Sequence, residues 1–166
     1  MTAMRTGGKA QNRSLAPLIV ILAFMLASAE GAANDGSGLA VSVRGEVSVT
    51  SNGESRPLVS GNFINEHDEI TVSNRSIAVL QFVDGAKVTL RPGSLLIIEQ
   101  YSAETATLNL VSGSLRVVAG SIARYQSESF RIRTPVALMG MSGNESSVTV
   151  CGDKVCDQQG LVEIIE

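Results

Sequence analysis

The clearest structural signal in the chain is residues 77–101, "IAVLQFVDGAKVTLRPGSLLIIEQY". Three short apolar runs are separated by Asp84-Gly85 and by Pro92-Gly93. Asp-Gly between alternating runs is a strong signal for a tight hairpin turn, and Pro-Gly suits the middle of a type II turn. Each run is too short for a helix and fits a strand. The stretch therefore predicts three consecutive strands joined by tight turns.

The same pattern continues over the rest of the chain from Leu39 onward. Short apolar runs, many with a period of two, are broken by Gly, Asn, Asp and Ser. Asn52-Gly53 and Ser112-Gly113 are further candidate hairpin turns. No run shows the 3.6-residue period of a helix. We therefore predict an all-β fold of many short antiparallel strands in a sandwich, barrel or roll, with little helix beyond residue 38.

The start of the chain has the features of a secretory signal peptide. Three basic residues and no acidic one stand before an apolar run that ends in "ASA" at Ala29. A basic start, a short apolar segment and a small-residue cleavage site are typical of a cleaved, helical signal. A membrane-spanning helix would need about 20 apolar residues, and this run is shorter. We predict a signal peptide over residues 1–29, a flexible linker over 30–38 and one domain over 39–166.

The charge balance excludes some classes of partner. Cleavage after Ala29 would remove three positive charges from a chain of net charge −3, which leaves −6. Nucleic-acid binding needs a basic surface, so we expect no nucleic-acid partner. An acidic chain is also repelled by anionic membrane surfaces, and we expect no stable membrane anchor after cleavage.

The two cysteines, Cys151 and Cys156, are separated by four residues. A zinc site would need two more ligands nearby, and a redox motif would be C-x-x-C. Exported proteins meet an oxidising environment, in which a disulfide is the default state of such a pair. The spacing therefore predicts a structural disulfide across the end of a hairpin.

Two motifs suggest chemistry, and we expect neither to carry it. His67 is followed directly by Asp68 and Glu69, but neighbours on a strand alternate faces and cannot all point at one ion. "GMSGN" at residues 140–144 is close to the nucleophile elbow G-x-S-x-G, but it lacks the final glycine and a following helix pattern. We therefore predict a protein that is not an enzyme and has no catalytic residue, metal or cofactor.

The best local candidate for a binding surface lies in "IARYQSESFRIR", residues 122–133. Period-two alternation places Arg131 and Arg133 on one face of a strand, with Arg124 and Tyr125 shortly before them. These residues could form an anion-binding or glycan-binding stripe. The alternative is the solvated face of an edge strand, where charged side chains are common.

The following "TPVALMGMSG", residues 134–143, predicts a corner. Thr134-Pro135 should end a strand, because proline donates no ladder hydrogen bond and restrains its neighbour. Gly140 and Gly143 allow a tight turn.

Taken in order, these segments resemble the FecR domain, named after a periplasmic regulator of ferric citrate uptake. The similarity covers roughly residues 39–152 and is based on segments such as "LQFVDGAKVTL", "LNLVSGSLRV" and "FRIRTPVALMG". Residues of this chain at family-motif positions include Asp84, Gly85, Thr134, Pro135, Gly140 and Gly143.

Two departures limit what the resemblance implies. The family pattern continues as G-x-R-G-T, whereas Ser142 and Asn144 replace its Arg and Thr here, so the role of that arginine is not carried over. The regulator that names the family also has a cytoplasmic domain that handles a sigma factor. The 14 residues before the apolar run are too few for such a domain, so the resemblance implies an exported domain without the sigma-factor-regulating region.

The sequence thus predicts an exported, non-enzymatic FecR-type recognition domain in the periplasm. It would act in envelope sensing or regulation through a protein partner of the cell envelope. The alternative is a structural or scaffold module that binds peptidoglycan, or another glycan, or an outer-membrane partner.

Overall fold

The computed structural model describes residues 36–164, in which fourteen strands confirm the predicted all-β fold. Helix is confined there to α1 (Ser121–Tyr125) and a 3₁₀ turn (Ser127–Ser129). The strands are β1 (Gly38–Arg44), β2 (Val47–Ser51), β3 (Glu54–Pro57), β4 (Phe63–Ile64), β5 (Glu69–Val72), β6 (Ile77–Phe82), β7 (Lys87–Leu90), β8 (Leu95–Tyr101), β9 (Ala106–Val118), β10 (Phe130–Arg133), β11 (Leu138–Met141), β12 (Glu145–Cys151), β13 (Lys154–Gln159) and β14 (Leu161–Glu163).

The predicted signal peptide, its cleavage after Ala29 and most of the predicted linker lie outside the described residues. Within residues 36–164, no helix has the length and apolar character needed to cross a bilayer.

The strands form two sheets that share the long strand β9. Residues 106–112 of β9 belong to sheet I, in the order β3, β2, β5, β8, β9, β10, β11, β14. Residues 113–118 belong to sheet II, in the order β4, β1, β6, β7, β9, β12, β13. Among the described strands, β9 and β10 are the only parallel pair. β9 therefore holds the two sheets together.

The predicted hairpin at Ser112-Gly113 is wrong, because these residues lie inside β9, where the strand passes from one sheet to the other. Gly113 has φ +82°, and a β-carbon there would lie 2.5 Å from the Cα of Ser94. The Ser94 hydroxyl accepts a hydrogen bond from the Ser114 N–H (3.0 Å) and donates to the Ser114 carbonyl (2.9 Å). This hydroxyl thus stabilises the backbone at the bend.

The other predicted turns are confirmed. Asn52 and Gly53 both have positive φ, 52° and 83°, and join β2 to β3, as a type I′ hairpin requires. Asp84-Gly85 joins β6 to β7. Gly93, with φ +77°, lies in the turn between β7 and β8.

One core is shared by both sheets. The apolar faces of the alternating strands supply its Val, Ile and Leu side chains, which are buried almost completely. Three aromatic rings join the sheets: Phe82 of β6 stacks on Tyr101 of β8 with ring centroids 4.0 Å apart, and Phe130 of β10 meets Tyr101 edge-on at 6.3 Å.

The Asp84 carboxylate connects the β6–β7 hairpin to sheet I and to α1. One oxygen accepts hydrogen bonds from the Tyr101 hydroxyl (2.8 Å) and the Ala86 N–H (3.0 Å), and the other accepts from the Ile122 N–H (3.3 Å). Burial, together with the nearby Asp84 charge, raises the pKa of Tyr101 above its ordinary value. The phenol therefore keeps its proton and remains a donor to Asp84.

Candidate functional site

The turn between β10 and β11 is closed by a threonine side chain. The buried Thr134 hydroxyl accepts a hydrogen bond from the Ala137 N–H and donates to the Ala137 carbonyl, both at 3.1 Å. The Thr134 N–H donates to the same carbonyl at 2.8 Å. β10 ends at Arg133, directly before Thr134-Pro135. The turn thus holds β11 beside β10.

The predicted role of Gly140 in a tight corner is wrong. Gly140 lies within β11, where it pairs with Arg131 of β10 and Val162 of β14. Gly143, with φ +98°, does lie in the turn between β11 and β12. The corner therefore begins later in the chain than the sequence indicated.

An open groove with a volume of about 580 Å³ lies over β11, and we call it the β11 groove. The 3₁₀ turn forms one wall and β14 the other. Gly140 lies in the floor, between the two walls. A β-carbon at this position would lie 3.7 Å from the Ser127 carbonyl and 3.5 Å from the Ile164 side chain. The lining of the groove includes Ser127, Glu128, Arg131, Gly140, Val162 and Ile164.

The two arginines of β10 share an exposed face, as predicted, but have different surroundings. The Arg133 guanidinium forms an ion pair with Glu99 at 3.0 Å, and Glu99 also accepts a hydrogen bond from Asn109 at 2.9 Å. Arg131 donates through Nε to the Glu128 backbone carbonyl at 3.1 Å. It has no ion pair with any residue in the described part of the chain. Arg131 is therefore the arginine available to a ligand.

The four residues of the predicted binding surface do not form one stripe. Arg131 lines the β11 groove, whereas Tyr125, 86% exposed, borders a separate cavity of about 120 Å³ beside α1. Arg124 is exposed on α1 and lines neither cavity. The edge-strand alternative is also wrong, because β10 lies between β9 and β11.

The groove walls are the part of the site that sequence reasoning missed. Ser127 and Glu128 come from the segment before β10, and Val162 and Ile164 come from the end of the described chain. No local sequence signal brings these segments together. Their proximity follows from the pairing of β10 with β11 and of β11 with β14.

Cys151 and Cys156 form a disulfide across the β12–β13 hairpin, with Cα atoms 5.9 Å apart. This hairpin follows the turn between β11 and β12, and it is itself followed in the chain by β14. Both residues are exposed. The disulfide is consistent with an oxidising compartment.

Reduction of this disulfide should loosen the hairpin without unfolding the domain. The closed loop is short, so the expected loss in the free energy of unfolding is about 2 kcal/mol. Urea unfolding of the domain with and without dithiothreitol measures the loss, and a Cys151→Ser, Cys156→Ser double variant is the matched control. Complete loss of the β-sheet circular dichroism signal on reduction would contradict the expected local effect.

His67, Asp68 and Glu69 lie where the chain turns into β5. His67 has φ +66°, and its N–H donates to the Ile98 carbonyl at 2.7 Å. The buried Asp68 carboxylate accepts hydrogen bonds from the Ser51 hydroxyl and the Asn65 N–H. Among residues 36–164, no group of three or more His, Cys, Asp or Glu residues could hold a metal ion.

Comparison with known proteins identifies one family. The family model described as "FecR protein" matches residues 68–165, more than half of the chain. No curated protein and no solved structure matches. The matched segment starts after β4 and contains the whole β11 groove.

Proposed function

The chain belongs to the FecR family, and from this membership we propose that it is an exported, non-enzymatic recognition domain of the cell envelope. It acts in sensing or regulation by binding a protein partner in the periplasm. The disulfide supports this location, because such bonds persist in oxidising compartments.

The observation that carries the proposal is the β11 groove with Arg131 in its lining. The groove is open and combines this cation with the aliphatic side chains of Val162 and Ile164. A planar guanidinium without an ion pair can donate two parallel hydrogen bonds to a carboxylate. Such a surface suits recognition of a protein segment.

The non-enzymatic part of the proposal depends on the surroundings of the histidine. Catalysis needs a nucleophile or metal placed beside an acid or base. Both carboxylates beside His67 in the chain already accept hydrogen bonds. Glu66 accepts one from a backbone N–H of β8 at 2.6 Å, and the buried Asp68 accepts from Ser51 and Asn65. His67 also does not line the β11 groove, and we assign the groove a binding role.

Substitution of the two arginines of β10 should show that only one of them contributes to partner binding. Arg131→Glu should lower capture of an envelope partner about tenfold to a hundredfold, because a charge-assisted hydrogen bond contributes about 1.5–3 kcal/mol. Arg131→Gln and Arg133→Gln are the matched neutral pair. Arg131→Gln should still weaken capture, whereas Arg133→Gln should have little effect, since Arg133 is engaged by Glu99. The measurement is affinity capture from the envelope fraction, followed by binding of the identified, purified partner.

Equal capture by the parent and Arg131→Glu would show that the groove is not the recognition surface. A parent domain that captures no envelope protein would contradict the recognition function itself.

A second candidate function is a scaffold role through glycan binding, favoured by a cavity on sheet II. This cavity, about 270 Å³, crosses β9, β12 and β13. Its lining side chains are almost all polar and include Arg116, Ser147, Thr149, Asp157 and Gln159. Hydroxyl, amide and carboxylate groups can hydrogen-bond the hydroxyls of a sugar chain. Co-sedimentation with purified sacculi, lost in a Ser147→Val, Thr149→Val variant, would support this role over protein recognition.

A further inference from the structure

One glycine of the described chain has no structural reason to be glycine. Every other glycine in residues 36–164 either has a positive φ or, like Gly36, Gly38 and Gly120, would place a β-carbon no farther than 3.0 Å from another atom. Gly140 has neither property. An alanine there would keep an ordinary strand backbone and make ordinary van der Waals contacts.

Glycine inside a strand weakens the strand, because it has no side chain to pack and loses more entropy on folding. A strand glycine that neither backbone nor packing requires often marks a place where another molecule approaches closely. Gly140 is in the floor of the β11 groove, which has a volume of about 580 Å³. Gly140 itself is buried, and its missing side chain makes the groove deeper between Ser127 and Ile164.

The row of residues across the groove indicates what it accepts. Arg131, Gly140 and Val162 are direct partners on β10, β11 and β14. A cation thus lies on one side of the buried glycine, and an aliphatic side chain, 59% exposed, lies on the other. Glu128 and Glu163 also line the groove and disfavour a ligand with many acidic groups, because like charges repel.

We propose that the β11 groove binds an extended peptide segment of a protein partner, with its backbone over Gly140. One carboxylate of the segment meets the Arg131 guanidinium, and an aliphatic side chain lies against Val162 and Ile164. This inference rests on the proposed recognition function and names the ligand chemistry at that site. Arginine favours carboxylates by its planar, bidentate geometry, and the side chains of an extended segment alternate in direction, so that they can reach both sides of the groove.

The test uses a variant that should fold as the parent does but bind the peptide more weakly. Gly140→Ala should leave the domain as stable as the parent or more stable, because the β-carbon has room and alanine is the better strand residue. The added methyl group should weaken peptide binding about tenfold or more, the usual effect of a methyl-sized misfit in a pocket. Loss of affinity without loss of stability distinguishes a ligand-contacting floor from a structural glycine.

The probe is a phage-displayed library of random linear peptides, selected on the disulfide-intact domain. Selected peptides are synthesised, and their Kd is measured by fluorescence anisotropy. We expect peptides with one Asp or Glu beside aliphatic residues, a Kd about tenfold higher for Gly140→Ala and Arg131→Gln, and an unchanged Kd for Arg133→Gln. No selection above background, or equal affinity of the parent and Gly140→Ala, would overturn the inference.

The outcome is distinguishable from a failure of the recognition function. If Gly140→Ala captures the purified envelope partner as well as the parent does, the groove assignment is wrong and recognition takes place elsewhere. If the parent captures no partner and selects no peptide, both the function and the groove assignment fail.

Discussion

Gly113→Ala should lower the free energy of unfolding by about 3 kcal/mol. Two costs combine: a left-handed backbone disfavours any β-carbon by about 1–2 kcal/mol, and the new methyl group meets Ser94, at 2.5 Å from both Cα and Oγ. Overpacking of this kind adds about 1–3 kcal/mol. Because Gly113 lies at the bend of β9, the substitution would distort the strand that the two sheets share.

Gly53→Ala is the matched control for this change. Gly53 has φ +83°, almost the same as Gly113, but no atom lies within 4 Å of its β-carbon position. We expect a loss of about 1 kcal/mol, the backbone cost alone. The midpoints of urea unfolding measure both changes. Equal losses for the two variants would contradict a close contact between Gly113 and Ser94.

Asp84→Ala should cost about 3 kcal/mol as well. It removes the acceptor of the Tyr101 hydroxyl and of the Ala86 and Ile122 N–H groups. A donor left without a partner in the interior costs about 1–3 kcal/mol. The effect should extend beyond the hairpin, since these donors belong to β8, to the hairpin itself and to α1.

Asp84→Asn is the control, because its amide oxygen can still accept hydrogen bonds from Tyr101 and Ala86. It should cost about 1 kcal/mol, for the lost acceptor of the Ile122 N–H. Thermal unfolding followed by circular dichroism measures both variants. A loss in the free energy of unfolding below about 0.5 kcal/mol for Asp84→Ala would show that the hydrogen bonds to Asp84 contribute little to stability.

The tight hairpins could be predicted from sequence because their signal is local. In Asn52-Gly53 and Asp84-Gly85, the dipeptide between alternating runs is enough to indicate the reversal. Ser112-Gly113 gives a similar signal, yet the strand continues through it. The difference lies in distant residues, since Ser94 supplies the hydrogen bonds that stabilise the backbone there.

The candidate site was only partly predictable for the same reason. Alternation placed Arg131 and Arg133 on one face correctly, because period two is a property of a single strand. Sequence alone could not separate the arginine held by Glu99 from the one available to a ligand. It also could not tell that Gly140 lies in a strand, because a glycine in sequence indicates a turn until its pairing partners are known.

The most direct test of recognition through the β11 groove is an NMR titration of the ¹⁵N-labelled domain with a selected peptide. The backbone amides that shift should cluster at residues 127–131, 140–142 and 162–164, and those shifts should be greatly reduced in Gly140→Ala. Shifts confined to sheet II or to the β12–β13 hairpin, or shifts that are equally large in Gly140→Ala, would contradict recognition through this groove.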